Sequence, residues 1–447
     1  MKSTHKYRLW LSVIIILMAT LSATPQGNIC LASSVNSISH VQDDELVFSF
    51  YGKSLQAAKI KTIKVKSTNE FDVAQAWQHY KRVEVEKVCS SLRSLATELG
   101  LNDWFILELV RSYVDELLIS GSPMDRVVLE HYLLVAMGYD VRIARTEHQL
   151  LLLVPIKQQI YEHGFVRADG KEYYLFFDDL EDHADDVTFI QPCDPSKNDV
   201  GKGQSFSLLF DNTTLNVRYG EDYTCVLDDG NISVTYSVNE GLMEMLRNYP
   251  LMDPQSYVTS VVIPQFQHSI LEQLKPQIED LSQCEAANAL LHFVQNAFEY
   301  ENDRDSYGHE KLNFIEENFF YSKNDCDDRS ILFAFLVHSL LGLDVQIVEY
   351  PGHECTGVRF TDCLSYGNGY YYGDDYYLIC DPSYVGAGIG KCMPKYRSVR
   401  PRVYVMNKST VNQNNNSPLK PVLEKAISIP EITIQTIDLS PESQSGI

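Results

Sequence analysis

Hydrophobic positions change their spacing several times along the chain, and these changes predict where strands and helices lie. Glu45 to Tyr51 and Ile60 to Val65 alternate between apolar and polar residues, which predicts two short strands. From Phe71 to about Leu118 the apolar residues recur at helical spacing, and Gly100 and Gly121 are predicted to end helices. The folded part of the chain is therefore predicted to begin with two strands followed by helices.

The middle of the chain, from Phe206 to Val238, alternates with a period of two residues. The sequence DDGN at positions 228–231 separates two of these runs and is typical of a hairpin turn. A small antiparallel β-domain or sheet insert is therefore predicted. Beyond it, helices are predicted over Ile270 to Leu281, where Pro276 would kink or restart the helix, and over Ala286 to Phe298.

The last third of the chain predicts one buried helix followed by strands. Ile331 to Val337 is apolar on every side and Gly342 is a stop signal, so a buried helix is predicted from Ser330 to Leu341. Asn324 or Asp325 is predicted to cap it. Three strands are predicted after this helix, over the ranges 345–349, 355–360 and 376–380.

Three side chains in this region have the chemistry of a thiol-based acyl-transfer site. Cys326 is placed at the N-terminus of the predicted helix, where the helix dipole is expected to lower the thiol pKa below about 8.5. Asp327 and Asp328 oppose a thiolate, so an ion pair with His353 is also expected to be needed. His353 begins a predicted strand and can act as general base, and Asp381 ends another and can orient the imidazole.

The segments that carry these residues, DCDDRSILFAFLV, YPGHECTGV and CDPSYVGAGIG, resemble the transglutaminase-like superfamily, most closely secreted members from the Bacteroidetes. The resemblance covers about Ala286 to Pro394. It implies a papain-like core in which Cys326 is the nucleophile, His353 the general base and acid, and Asp381 the orienting carboxylate. Bacterial relatives are mostly assigned as peptidases or amidases, so it implies hydrolysis rather than crosslinking. The residues ECT at 354–356 depart from the family pattern, because many members have an aromatic residue soon after this histidine.

An earlier set of motifs runs parallel to this region. The matched positions are Asp125 with Asp328, Gly138 with Gly342, His148 with His353 and Asp178 with Asp381. The interval from first to last is 178 − 125 = 53 residues in one set and 381 − 328 = 53 in the other. An internal duplication is therefore predicted, with an offset of 203 residues at both ends that drifts by one or two residues between them. The chance recurrence of Leu, Val and Tyr in buried strands is the alternative.

The first copy is predicted to lack a nucleophile, because the offset carries Cys326 back to Pro123. Its role is expected to be structural or ligand-binding. The predicted fold class is α+β, with duplicated transglutaminase-like (papain-like) domains and a β-rich insert between them. The predicted boundaries are 1–32 for a signal peptide, 33–69 for an N-terminal β segment, 70–184 for the degenerate domain, 185–262 for the β-rich linking domain, 263–406 for the active domain and 407–447 for a polar tail.

The N-terminus and the charge indicate an exported, acidic protein. Lys2, Lys6 and Arg8 precede an apolar run from Leu9 to Leu21, which is short for a membrane span and predicts a secretory signal. The net charge is −23, and removal of the three cations in the signal gives −23 − 3 = −26, which argues against a nucleic-acid partner. The predicted location is the periplasm, the cell surface or the medium, with no membrane span after signal removal.

The cysteine count fits export. Ten cysteines become nine if the first leaves with the signal, and an odd number suits one working thiol beside paired ones. A metal cluster with His353 is the rival interpretation for the cysteines near the candidate site, which are 355, 363, 380 and 392. Their spacing matches no zinc pattern, so neither a metal nor a cofactor is predicted.

The predicted function is a thiol-dependent amide hydrolase, a peptidase or amidase, that forms an acyl-thioenzyme from a protein or peptide substrate such as a cell-wall or surface peptide. Transfer of the acyl group to an amine is one alternative, since the outcome depends on how far the site excludes water. A non-catalytic module that binds peptide or glycopeptide and carries an idle triad is the other. Gln295 could donate to an oxyanion, although an outward-facing polar helix position is the commoner role.

Overall fold

A computed structural model describes residues 44–176, 191–193, 195, 202–210, 215–321, 323–361 and 367–406. These residues form an α+β fold in which helices pack against two five-stranded antiparallel sheets. The predicted signal peptide, the predicted polar tail, Asp178 and Cys363 lie outside the described residues.

The helices follow the helical spacing of apolar residues closely. In the described ranges they are α1 (Glu70–Tyr80), α2 (Val85–Leu99), α3 (Asp103–Leu117), α4 (Pro123–Met137), α5 (Glu240–Arg247), α6 (Pro254–Thr259), α7 (Pro264–Ile278), α8 (Gln283–Ala297), α9 (Asp303–Ser306), α10 (Ile315–Phe320) and α11 (Cys326–Leu341). Gly100 ends α2 in the left-handed conformation, as predicted, whereas α7 continues through Pro276 instead of restarting there.

The strands lie mainly in two blocks, one after α4 and one after α11. In the same ranges they are β1 (Glu45–Phe50), β2 (Lys53–Ala58), β3 (Arg142–Arg145), β4 (Leu150–Pro155), β5 (Phe165–Ala168), β6 (Lys171–Leu175), β7 (Gln191–Pro192), β8 (Asp222–Asp228), β9 (Ser233–Asn239), β10 (Glu299–Tyr300), β11 (Lys323–Asn324), β12 (Asp344–Tyr350), β13 (His353–Arg359), β14 (Gly369–Tyr372), β15 (Asp375–Cys380) and β16 (Arg402–Val405).

The predicted strand over Ile60 to Val65 is wrong. Tyr51 and Gly52 both have positive φ (43° and 79°) and form a tight turn, so β1 pairs with the residues directly after the turn, which form β2. The backbone N–H of Val65 instead donates to Asp125 Oδ1 at 2.6 Å. The residues from Ile60 to Val65 do alternate between apolar and polar, but the tight turn brings β1 against an earlier segment, which becomes its partner strand.

The predicted β-rich insert is a hairpin among the residues described there. β8 pairs with β9 across the turn at 228–231, as predicted, and the side chains of Gln273 and Gln277 on α7 hydrogen-bond to the backbone of β9. The described residues between 202 and 221 form no ladder, although Phe206 makes an isolated bridge with Ile156. The alternation that predicted further strands therefore serves packing, since Phe206 is buried.

Two sheets have the same strand order and lie after corresponding helices. The first has the order β5-β6-β4-β3-β7 and the second β14-β15-β13-β12-β16, and every pairing in both is antiparallel. α4 begins at Pro123 and ends at Gly138, while α11 begins at Cys326 and ends at Gly342, with both glycines in the left-handed conformation. In each block, therefore, a helix that ends before a left-handed glycine is followed along the chain by a sheet of the same strand order.

A continuous hydrophobic core includes residues from Phe48 to Met406 and passes through both blocks. α11 lies inside it and is buried continuously from Asp327 to Val337, which confirms the predicted apolar helix. Across the described ranges, every helix is too short or too polar to cross a bilayer. The core holds α11 rigidly, so the residue at its first turn is fixed in position.

A buried acid on α10 predicts a pH-dependent stability. Glu316 is 1% exposed, and its Oε1 accepts hydrogen bonds from Ile263 N at 2.9 Å and Gln267 Nε2 at 3.2 Å, but burial dominates and raises its pKa to about 7. The folded protein therefore keeps this proton while the unfolded chain releases it above about pH 4.5. This contribution to stability falls as pH rises from about 4.5 to 7, and the full penalty is roughly 3 kcal/mol.

We expect Glu316→Gln to raise the thermal unfolding midpoint at pH 8 and to leave it nearly unchanged at pH 4.5. The amide cannot ionise, so the penalty for a buried carboxylate disappears. Thermal unfolding of both proteins at the two pH values measures this, with the exposed Glu279→Gln as the matched control. An equal shift at both pH values would contradict the assignment of the effect to ionisation.

Candidate active site

The three predicted catalytic residues come from three neighbouring elements. Cys326 is the first residue of α11, His353 is the first residue of β13, and Asp381 directly follows β15. α11 packs on β13, and β13 pairs with β15 in the sheet. His353 Nε2 lies 2.9 Å from Asp381 Oδ2, and the two side chains are 7% and 2% exposed. The structure therefore joins His353 and Asp381 directly.

The carboxylate of Asp381 is held from both sides. Its Oδ1 accepts hydrogen bonds from Ser383 N, Ser383 Oγ and Tyr384 N at 3.1, 3.0 and 3.0 Å, while Oδ2 faces His353. A carboxylate only accepts, so Nε2 of His353 carries the proton and Nδ1 is the basic nitrogen. This is the tautomer that a general base needs.

Cys326 lies beside the residue that follows His353. Its half-buried thiol accepts a hydrogen bond from the backbone N–H of Glu354 and contacts the hydroxyl of Tyr300. Cys326 is the first helical residue, as predicted, and Asp325 is the N-cap, but the Asp325 side chain makes no capping hydrogen bond. The thiol at the start of α11 therefore lies against the backbone of the residue that follows His353.

The expected lowering of the Cys326 pKa is wrong. Burial is the largest effect and raises the pKa of the thiol to about 12, the nearby carboxylates of Asp325, Glu354 and Asp381 raise it further, and the N–H of Glu354 opposes them. Cys326 is therefore a neutral thiol in this environment, and its proton must be removed when it attacks.

Tyr396 supports His353 and was not recognised in the sequence. Its ring stacks on the imidazole with centroids 5.1 Å apart and planes within 1°, and on Tyr350 at 4.7 Å. Its hydroxyl donates to the carbonyl of Pro351 at 3.2 Å. The aromatic contact that the residues 354–356 do not provide thus comes from a distant loop, and no local pattern marks it.

We expect Tyr396→Leu to slow iodoacetamide labelling of Cys326 by about 2- to 10-fold, because ring stacking of this kind contributes roughly 0.5–1.5 kcal/mol to the position of the imidazole. Tyr396→Phe keeps the ring and should label at nearly the wild-type rate. Mass spectrometry of the Cys326 peptide measures both. Equal slowing in both variants would show that the hydroxyl bond to Pro351 matters instead of the stack.

Gln295 has neither of the roles considered for it in the sequence. It is 3% exposed, and its Nε2 lies 3.0, 3.0 and 2.9 Å from the carbonyl oxygens of Asp381, Tyr384 and Ala387. Its Oε1 accepts from Gly386 N at 3.2 Å. The amide is therefore occupied by the loop that begins with Asp381, and Gln295 is a positioning residue.

The cysteines near the site do not form the rival metal cluster in the described residues. Cys355, Cys380 and Cys392 are buried free thiols, and the groups of side chains that could share a cation there do not include His353. Those groups are Asp325, Cys326 and Asp327, and Asp303, Asp325 and Asp328. The other possible cation ligands near Cys326 are thus carboxylates and not further cysteines.

Comparisons with known proteins identified no relative of this chain. A scan against protein-family models found no family that matches the chain, and a search of curated proteins found no match. The function of the site is therefore argued from its own residues.

Proposed function

We propose that the chain is a thiol-dependent amide hydrolase, a peptidase or amidase of the transglutaminase-like type. The observation that carries this proposal is the buried 2.9 Å contact between His353 Nε2 and Asp381 Oδ2, with the half-buried thiol of Cys326 hydrogen-bonded to the backbone N–H of Glu354, the next residue. A carboxylate that fixes an imidazole next to a nucleophile is the arrangement on which acyl transfer depends.

In the first step, His353 Nδ1 takes the thiol proton while Cys326 Sγ attacks the carbonyl carbon of an amide. A C–S bond forms, and the C–N bond then breaks as His353 returns the proton to the leaving amine. In the second step water attacks the thioester carbonyl while His353 accepts its proton. The C–S bond then breaks, His353 returns the proton to Cys326 Sγ, and the carboxylic acid and the free thiol are released. Because burial keeps Cys326 protonated, the imidazole acts during the attack itself.

Charge on the carbonyl oxygen needs donors near the thiol. The Asp325 side chain does not cap α11, which leaves the backbone N–H of Cys326 aimed out of the first turn without a side-chain acceptor from this N-cap. Tyr300 is 50% exposed, and its hydroxyl contacts the thiol. This hydroxyl is a second donor beside Cys326. These two groups are the proposed oxyanion donors, because the amide of Gln295 is occupied by the loop that begins with Asp381.

The proposal includes an internal duplication, which the register of the two sheets supports. In the first sheet Leu153 pairs with Leu175, and His148 precedes Leu153 by 153 − 148 = 5 residues. In the second, Val358 pairs with Leu378, and the triad histidine precedes Val358 by 358 − 353 = 5 residues. Equal strand order with equal register is hard to obtain by chance.

The first copy is proposed to be inactive. α4 begins at Pro123 where α11 begins at Cys326, so the position of the nucleophile is occupied by a proline. Proline is favoured at the first position of a helix, where its missing N–H costs nothing. His148 is exposed and has no thiol to serve, which makes it a natural control for His353.

Export to an oxidising compartment is part of the proposal. Cys284 is disulfide-bonded, and disulfides persist in exported proteins rather than in the cytosol. The substrate is proposed to be a protein or a peptide, since an amide carbonyl is what the thiol and the imidazole are arranged to attack.

The test is alkylation of the purified protein with iodoacetamide between pH 6 and 8, with Cys326 located by mass spectrometry. We expect His353→Ala to slow its labelling by at least about tenfold, because a thiol of raised pKa needs the imidazole to remove its proton. His148→Ala should leave the rate unchanged, and the partly exposed Cys225 serves as an internal reference thiol.

If His353→Ala and His148→Ala label Cys326 at the same rate, the imidazole does not activate the thiol and the hydrolase proposal fails. The chain would then be better described as a binding module with an idle triad.

A further inference from the structure

Three carboxyl groups converge at the start of α11, next to the proposed nucleophile. Asp303 comes from α9, Asp325 is the N-cap of α11, and Asp328 lies in its first turn. One oxygen of each lies within 4.8 Å of an oxygen of the other two. The three residues are 3%, 6% and 1% exposed, so water does not solvate them as it does surface acids.

Two cations, Lys311 and Arg329, lie near this cluster and interact with its carboxyls, but the closest partner of each is another group. Lys311 Nζ is directed to Glu317 Oε1 at 2.8 Å, and the guanidinium of Arg329 donates to the backbone carbonyl of Phe298 at 2.7 Å. Asp327 and Glu310 add further carboxyls in contact with the same group. Buried like charges at this separation need either protons or a cation between them.

A second observation points to a ligand. Oδ1 of Asn313 is buried and receives no hydrogen bond from the described residues, although the Nδ2 of the same amide donates to Asp328 Oδ2 at 2.8 Å. Oδ1 of Asp325 and Oδ1 of Asp327 also receive none from these residues unless one of the two carboxyls keeps a proton and donates to the other, and both side chains are more than nine-tenths buried. Buried oxygens without donors are rare, and a cation at the carboxylate cluster would satisfy the Asp325 oxygen without such a proton.

The ligand atoms select the kind of cation. All are hard oxygen atoms, which favour Ca²⁺ or Mg²⁺ over zinc and copper. Mg²⁺ loses its water reluctantly and is seldom bound by protein oxygens alone, whereas Ca²⁺ accepts six to eight oxygen ligands in flexible geometry. Three converging carboxylates that are all buried therefore favour Ca²⁺.

We propose that Asp303, Asp325 and Asp328 bind one divalent cation, with Ca²⁺ favoured over Mg²⁺, and that Asn313 holds the Asp328 carboxylate in place through its two hydrogen bonds. The sequence predicted no metal, because Asp303 lies far from the other two along the chain and is brought to them by the fold. The cation would tie α9 and the Asn313 segment to the start of α11.

The test uses the full-length mature protein, freed of metals with EDTA, and titrates it with CaCl₂ and MgCl₂ by calorimetry and by thermal unfolding. We expect Ca²⁺ to bind more tightly than Mg²⁺ and to raise the unfolding midpoint by about 3 °C or more. Asp325→Asn and Asp303→Asn should each weaken Ca²⁺ binding by at least about tenfold. The exposed Asp305→Asn, on the same short helix as Asp303, is the matched control and should bind as wild type does.

Folding of the variants is checked in EDTA, where Asp325→Asn should unfold at a temperature equal to or above that of wild type, because one of the repelling charges is gone. Absence of Ca²⁺ binding to wild type, or equal binding by wild type and both variants, would overturn the proposal. The buried carboxyl groups would then be neutralised by bound protons and not by a cation. Neither result depends on amide hydrolysis, so this site and the proposed enzyme can fail separately.

Discussion

Replacing Cys326 with alanine is expected to abolish turnover of amide substrates. The proposed first step forms a bond to Cys326 Sγ, and neither His353 nor Asp381 can form the acyl intermediate without it. Loss of a covalent nucleophile from a three-residue catalytic unit lowers the rate by roughly 10⁴- to 10⁶-fold. The measurement is release of fluorophore from a panel of peptide amides, with the wild type and Cys326→Ala at equal concentration.

Cys225→Ala is the matched control, because Cys225 is a free thiol on the β8-β9 hairpin and has no part in the proposed reaction. It should retain the wild-type rate. Turnover that persists in Cys326→Ala would contradict the assignment of the nucleophile. If instead a peptide binds to both proteins with equal affinity and neither cleaves it, the site is a binding groove.

Much of the fold could be predicted from local pattern. The apolar helix ending in Gly342 and the three strands after it lie within a few residues of their predicted limits, because burial on every side and a left-handed glycine leave a clear trace in the sequence. The error at Ile60 to Val65 has the opposite cause. Alternation there was genuine, but the Tyr51-Gly52 turn fixed which alternating run became the partner strand.

Parts of the site that depend on distant contacts could not be predicted. Tyr396 stacks on His353 from a loop that follows β15, and no spacing rule connects the two residues. The pKa of Cys326 was expected to fall because the helix dipole can be inferred from sequence, whereas burial and the carboxylate of Glu354 depend on packing. Local sequence therefore located the reactive groups, and the tertiary structure determined their electrostatic surroundings.

The position of Asp381 depends on a residue 86 positions earlier in the chain. Gln295 on α8 holds the loop after β15 through hydrogen bonds to three backbone carbonyls and one backbone N–H. Asp381 contributes the first of those carbonyls, so the same amide that satisfies the loop also fixes the carboxylate behind His353. Stability and catalysis are therefore expected to change together when Gln295 is replaced.

We expect Gln295→Leu to destabilise the protein by roughly 3 kcal/mol or more, because each buried backbone group left without a partner costs about 1–3 kcal/mol. This corresponds to a fall of about 5 °C or more in the unfolding midpoint. Labelling of Cys326 by iodoacetamide should also slow, to the rate expected for His353→Ala. The loop that carries Asp381 would no longer be held in place, so its carboxylate would no longer hold the imidazole. Circular dichroism melting and mass spectrometry measure the two effects.

Asn296→Leu is the matched control, because Asn296 is the next residue on α8, is exposed, and hydrogen-bonds only within its own helix, to the carbonyl of His292. Gln295→Glu separates the effect of side-chain shape from that of hydrogen bonding, because it keeps the size of the side chain but turns a carboxylate towards three carbonyl oxygens. Gln295→Glu should therefore lose at least as much stability as Gln295→Leu. A Gln295→Leu protein that melts at the wild-type temperature would show that the loop is held by other contacts. If it melts early but labels Cys326 normally, then Asp381 is positioned by Ser383 and Tyr384 alone, and Gln295 serves stability without serving the site.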